Sequence, residues 1–189
     1  GWWKFDELDS TIAVDSSGQN NNGSTTNLAS EDIGVSGKKM NAINFSTSND
    51  YVQIPSDVDL EAPKFTWSLW AKFNALGSQQ GLMVYSTDLL VGNGAILLRK
   101  ETGDQIAVFI HDGTDYESRA MSAAIGSTDT WYHIAVTFDE VDLKVYVDGI
   151  ASTQARPITV PYATTNNLII GNVGGFGNSA DAKFDDIRV

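Results

Sequence analysis

Hydrophobic positions along this chain recur at every second residue, in short runs separated by clusters of Gly, Asn, Asp and Ser. In "FTWSLWAKF", Phe65, Trp67, Leu69, Ala71 and Phe73 make one row, with Thr66, Ser68, Trp70 and Lys72 opposite. In "WYHIAVTF", Tyr132, Ile134, Val136 and Phe138 alternate with a mixed row of Trp131, His133, Ala135 and Thr137. Neighbouring strand residues point to opposite faces, so each stretch has one side suited to a core. "FDEVDLKVYVDG" reads as a tight turn into a strand with Leu143, Val145 and Val147 inward. "WWKF", "YVQI", "GAILLRK", "QIAVFIH", "NLIIG" and "AKFDDIRV" share the β-branched and aromatic character of strands. "DSSGQNNNG", "GNG", "HDGTD" and "GNVGGFGN" carry turn chemistry. No segment sustains a 3.6-residue period. The pattern predicts an all-β fold, a two-sheet antiparallel β-sandwich or jelly roll.

Composition narrows the classes of function. The 189 residues, 42% hydrophobic and 19% charged, suit one domain spanning 1–189 that folds without staples. Twelve basic against 24 acidic residues give a net charge of −12, which disfavours nucleic acid and anionic membranes and favours cations. The absence of cysteine removes disulfides, thiolate metal sites and Cys nucleophiles. No apolar run approaches the length of a membrane span. The chain starts at Gly1 rather than Met, and is expected to be a domain excised from a larger protein.

The ending "KFDDIRV" raises a question of charge. By strand parity Asp185 shares a side with Ile187 and Val189, while Asp186 faces out toward Arg188 or Lys183. A carboxylate at a core's rim needs a partner. "DSSGQNNNG" offers Asp15, Ser17, Asn20, Asn21 and Asn22, hard oxygen donors that suit Ca²⁺ although the spacing is not that of an EF-hand. The expectation is a structural Ca²⁺ held by Asp15, Asn21, the carbonyl of Gly23, and Asp185. Lys183, Arg188 or a backbone amide are the competing partners of Asp185.

"WWKFDE", "DSSGQNNNG", "INFSTSNDYVQIP", "FTWSLWAKF", "WYHIAVTFDE", "LKVYVDG", "LIIGN" and "FDDIRV" occur in order along the whole chain. Together they resemble a laminin-G-like domain of the concanavalin A-like lectin/glucanase superfamily. The resemblance implies a jelly roll of two curved antiparallel sheets with neighbouring N- and C-terminal strands. It also implies a structural calcium between the early loop and the terminal Asp, and a chain that continues past Val189.

Fold and site are separate questions. Laminarinase-like members of the superfamily carry Glu-x-Asp-x-x-Glu on one strand; "ELDSTI" has Glu7 and Asp9 but Ile12 in the last place. Lyase-type members carry an Arg- and Glu-rich strand with His and Tyr, which "YESRAMS" matches poorly. Catalytic residues are therefore expected to be none. His111, Asp112, Tyr116 and Tyr162, in or beside hairpin loops, are the ligand-binding candidates. The expected function is a non-catalytic carbohydrate-binding or adhesion module of an extracellular or cell-surface protein. Its partner would be a glycan or polysaccharide or, in an adhesion role, a protein receptor, with no nucleic acid and no membrane insertion. The alternatives are a protein-interaction or spacer module, and a polysaccharide-cleaving hydrolase or lyase.

Overall fold

A computed structural model describes residues 1–8, 11–57, 60, 62–86, 95–110, 118–155, 167–173 and 179–189. Among them are sixteen strands. The first six are β1 (Trp2–Trp3), β2 (Ile12–Ala13), β3 (Gly23–Thr26), β4 (Ile33–Ser36), β5 (Asn41–Phe45) and β6 (Tyr51–Ile54). Next come β7 (Phe65–Phe73), β8 (Gln80–Ser86), β9 (Ile96–Lys100), β10 (Gln105–Ile110) and β11 (Ser118–Ala124). β12 (Tyr132–Phe138), β13 (Asp142–Val147), β14 (Ile150–Ala155), β15 (Asn167–Ile170) and β16 (Ala182–Arg188) complete the set. A 3-10 turn at Ser30–Asp32 leads into β4. No helix among the described residues is long and apolar enough to cross a membrane.

The strands form two antiparallel sheets of eight. One runs β14-β13-β12-β7-β16-β5-β4, with β1 paired to β16, and the other runs β11-β10-β9-β8-β15-β6-β3-β2. The expected all-β two-sheet sandwich is what the chain forms. The first and last strands meet directly, Trp2 opposite Arg188 and Trp3 opposite Ile187.

The alternation in the sequence becomes the core. Trp67, Leu69, Ala71 and Phe73 of β7, with Tyr132, Ile134, Val136 and Phe138 of β12, are buried between the sheets. They meet Val52, Ile54, Met83, Leu98, Val108 and Ile170 from the other sheet. Turn chemistry fixes the register. Asp148 and Gly149 both take positive φ, 50° and 81°, and join Val147 to Ile150 in the two-residue Asp-Gly hairpin that matches strand twist.

Gly171 follows β15 with φ +90°, and a Cβ there would fall on the ring of Phe45, which is completely buried. Strain and overpacking both oppose a side chain. Gly171→Ala is therefore expected to destabilise the domain by about 3 kcal/mol. At this length that lowers the melting temperature by roughly 6–12 °C, measured by thermal circular dichroism.

Candidate functional site

The β4–β5 hairpin loop, "GKKM" at residues 37–40, closes with Gly37 N–H donating to the Met40 carbonyl at 3.1 Å. The loop rests on the end of β16. Asp185 accepts the backbone N–H of Lys39 at 2.7 Å, and that of Lys38 as well. Gly37 permits the approach, because a Cβ there would stand 2.8 Å from Asp185 Oδ2. Asp186 holds side chains instead: Lys39 Nζ and Trp2 Nε1 donate to it at 2.5 Å each, and Arg188 Nη2 at 3.2 Å. The partner of Asp185 is therefore a backbone amide pair, one of the alternatives the sequence left open.

Strand parity fails at this point, and the reason is local. Asp186 takes φ 51° and the β16–β7 register slips between Asp185 and Arg188, a β-bulge. Phe184 and Ile187 both enter the core although they are three residues apart. Asp185 lies opposite Trp70 on the outer face and not at the core's rim, which corrects the sequence-based orientation. Asp186, expected to face solvent, is only 8% exposed. An aspartate tolerates the left-handed conformation the bulge requires better than most side chains.

The two carboxylates differ electrostatically. Burial pushes Asp185 above the ordinary carboxylate range, and the neighbouring Asp186 and Asp6 add to this against its two amides. Burial acts the same way on Asp186, but the hydrogen bonds from Lys39, Trp2 and Arg188 outweigh it and hold that carboxyl below the usual range. A raised folded value means that the ionised form is disfavoured in the fold, so at neutral pH Asp185 works against stability. A depressed value means the reverse, so Asp186 adds stability that is lost only as pH falls through that value.

Around this anchor the outer face of the first sheet forms an open cleft of about 590 Å³, lined by Lys39, Ser68, Trp70, His133, Asp148, Asp186 and Arg188. Trp70 and His133 are directly opposite in the β7–β12 register, their ring centres 5.1 Å apart and tilted by 59°. Lys38 Nζ lies 4.4 Å from the centre of the Trp70 ring. Asp148, at the Asp-Gly turn, accepts the backbone N–H of His133 at 2.8 Å through one oxygen. An adjoining cavity of about 270 Å³ shares Lys39 and Asp186 and includes Trp2, Lys4, Asp6, Met40 and Asp185. Lys4 and Arg188 both stand over the Trp2 ring, at 4.4 and 4.7 Å. The cleft presents an aromatic surface among fixed donors and acceptors, the equipment of a binding site. Asp186 is held ionised there, which suits a fixed acceptor and not a general acid, whose pKa must be raised.

A family profile of the laminin G type, described as the concanavalin A-like lectin/glucanases superfamily, matches residues 46–189. The chain belongs to this superfamily. Among solved structures, this lectin/glucanase domain resembles domain 4 of AbnA, an extracellular GH43 arabinanase from Geobacillus stearothermophilus solved with arabinotriose. The TM-score is 0.71 at 19% identity, over 99% of this chain and 89% of that one. It also resembles botulinum neurotoxin type C, whose cell entry depends on two ganglioside molecules (TM-score 0.67, 12% identity, 96% of this chain and 45% of that one). Trypanosoma rangeli sialidase in complex with sialic acid matches with a TM-score of 0.64 at 14% identity, over 99% of this chain and 30% of that one. The lectin/glucanase domain thus spans most of the arabinanase domain but less than half of the toxin and sialidase chains. No curated protein matches by sequence.

Within this lectin/glucanase fold the residues expected to share a calcium ion are engaged by separate donors. Asp15 accepts four hydrogen bonds, from the backbone N–H groups of Trp2, Ser17 and Asn21 and from the Ser17 hydroxyl, at 2.8–3.0 Å. Burial works against ionisation of Asp15, yet these bonds prevail and lower its pKa to about 2. The Asn21 carbonyl accepts Trp3 Nε1 at 2.9 Å, and the atom of Asn21 left without a partner is Nδ2, a donor that repels a cation. Gly23 pairs with Ala13 in the β2–β3 ladder. Asp185 belongs to the hairpin-loop network described above. No group of three or more His, Asp or Glu side chains among the described residues is placed to hold a metal. Asp15 and Asn21 are thus held within the early loop, and Asp185 by the β4–β5 loop, each through hydrogen bonds from protein donors or to protein acceptors.

His111, Asp112, Tyr116 and Tyr162 lie outside the described residues. Lys38, Lys39 and Asp148 were not read as site residues from the sequence. The usable signal was Trp70 and His133 on the outward rows of two strong strands.

Thermal melts at pH 7 test the division of labour. Asp186→Asn is expected to cost about 2 kcal/mol, since it weakens several charge-assisted bonds at once. Asp185→Asn keeps an acceptor oxygen, removes a disfavoured charge, and is expected to stay within about 1 kcal/mol of the parent. A chelator is expected to leave the melting temperature of all three proteins unchanged, and a fall of several degrees would restore the ion.

Proposed function

We propose that this domain is a non-catalytic carbohydrate-binding module of an extracellular protein, and that the Trp70 cleft is its sugar site. The observation that carries this reading is the cleft: a tryptophan on an outer sheet face, beside an imidazole and within reach of Ser, Asp, Lys and Arg side chains. Saccharides present a C–H face that stacks on an aromatic ring and hydroxyls that exchange bonds with such polar groups. The three solved relatives support the reading by class, because each is associated with a sugar: arabinotriose, gangliosides or sialic acid. AbnA is an extracellular arabinanase, which supports the compartment.

A glycan array with the intact domain and Trp70→Ala, both checked for folding by circular dichroism, tests this. The domain is expected to bind at least one glycan, and Trp70→Ala to weaken that binding about tenfold or more. Binding that is unaffected by Trp70→Ala would move the site elsewhere. Binding to no glycan would favour a protein-interaction or spacer role, and turnover of a polysaccharide would replace the non-catalytic reading.

A further inference from the structure

The charge around Trp70 defines the class of sugar, an inference that rests on the binding reading above. We propose that the cleft takes a saccharide bearing a carboxylate, and that Lys38 leaves the Trp70 ring to meet that carboxylate as the sugar takes its place.

The first observation is the distribution of charge. Acidic residues outnumber basic ones two to one, 24 to 12, yet Lys38, Lys39, Lys72, Lys183 and Arg188 gather on one sheet face around Trp70. Lys72 and Lys183 sit directly opposite each other in the β7–β16 pair, two positions along from Trp70 and Asp185 on the same face. Like charges directly opposite on antiparallel strands are destabilising, so the fold tolerates a cost here that a bound anion offsets. Lys72 has Asp129 at 3.4 Å, a carboxylate 93% exposed, and Lys183 has no carboxylate partner among the described residues.

The second observation concerns which charges are already committed. Two carboxylates on this face are fully engaged, Asp186 by Lys39, Trp2 and Arg188 and Asp185 by the loop amides, while Asp148 accepts the backbone N–H of His133 through one oxygen. The cations keep capacity. Arg188 uses Nε and Nη2 on Asp186 while half of its side chain is exposed, which leaves Nη1 for a ligand. A guanidinium presents a planar fork that matches a carboxylate. Lys38 has no carboxylate partner among the described residues, and its ammonium rests on the Trp70 ring alone.

That resting place produces selectivity. A sugar stacking on the ring face that Lys38 covers must displace the ammonium. A neutral sugar takes away the cation–π contact and returns only hydroxyl bonds, whereas an acidic sugar gives the displaced ammonium a charge-assisted partner. Discrimination is the difference between these two exchanges. At physiological salt the Debye length is about 8 Å, so the distant negative charge of the domain is screened and the local lysines govern.

Isothermal titration with oligogalacturonate, oligoglucuronate and sialyllactose, each beside its carboxyl-reduced counterpart, tests the proposal. At least one acidic sugar is expected to bind about ten- to hundredfold more tightly than its reduced form. That margin is expected to shrink in Lys38→Gln and Arg188→Gln, and as salt rises from about 0.05 to about 0.5 M. Equal affinity for the acidic and reduced forms, with Trp70→Ala abolishing both, would overturn the acidic class and keep the sugar site. A preference that survives in Lys38→Gln would overturn the role of Lys38. Binding to none of the acidic sugars would overturn the inference, and the glycan array would then decide separately whether the cleft binds neutral sugars.

Discussion

The pairing of Asp185 and Asp186 with the 37–40 loop is the constraint on which the rest of the site depends. One carboxylate takes the loop backbone and its neighbour takes side chains from the loop, from β1 and from β16 itself. Adjacent residues of a regular strand could not do both on one face. The bulge at Asp186 solves this by turning the second aspartate back toward the first while Ile187 still reaches the core. The loop lysines are placed as a result, Lys38 over Trp70 and Lys39 at the junction of the two cavities.

The two aspartates illustrate how burial and hydrogen bonding compete. Both lose solvent, which raises the cost of their charge. Asp186 recovers that cost from two cations and an indole N–H, and is a net support of the fold. Asp185 has two neutral amides and two like-charged neighbours, and remains the electrostatically weak member. Asp15 follows the first pattern with neutral donors alone, four of them, because it closes a tight loop where backbone N–H groups converge. Dense acidic and amide composition in "DSSGQNNNG" therefore serves a hydrogen-bonded turn.

Much of the fold was legible in the sequence because its signal is periodic. The inward rows of β7, β12 and β13 follow directly from alternation, since a one-residue slip would expose every core side chain. The site was less legible, for two physical reasons. A bulge inserts a residue without a period, so parity assigned Asp185 to the wrong face. The cleft also depends on which strands are neighbours: Trp70 and His133 are 63 positions apart in sequence and meet only because β7 pairs with β12. Nothing local marks Lys38 and Lys39, whose placement comes from a carboxylate pair 146 and 147 positions beyond Lys39.

The central claim is that Asp185 pins the loop backbone and thereby shapes the cleft. Native-state hydrogen exchange at the Lys39 amide tests it most directly. The 2.7 Å bond to a buried carboxylate predicts that this exposed loop's amide exchanges about a hundredfold or more slowly than an open loop amide, and loses much of that protection in Asp185→Ala while the β7 and β12 amides keep theirs. A Lys39 amide exchanging at the rate of an unprotected loop in the parent domain would contradict the account.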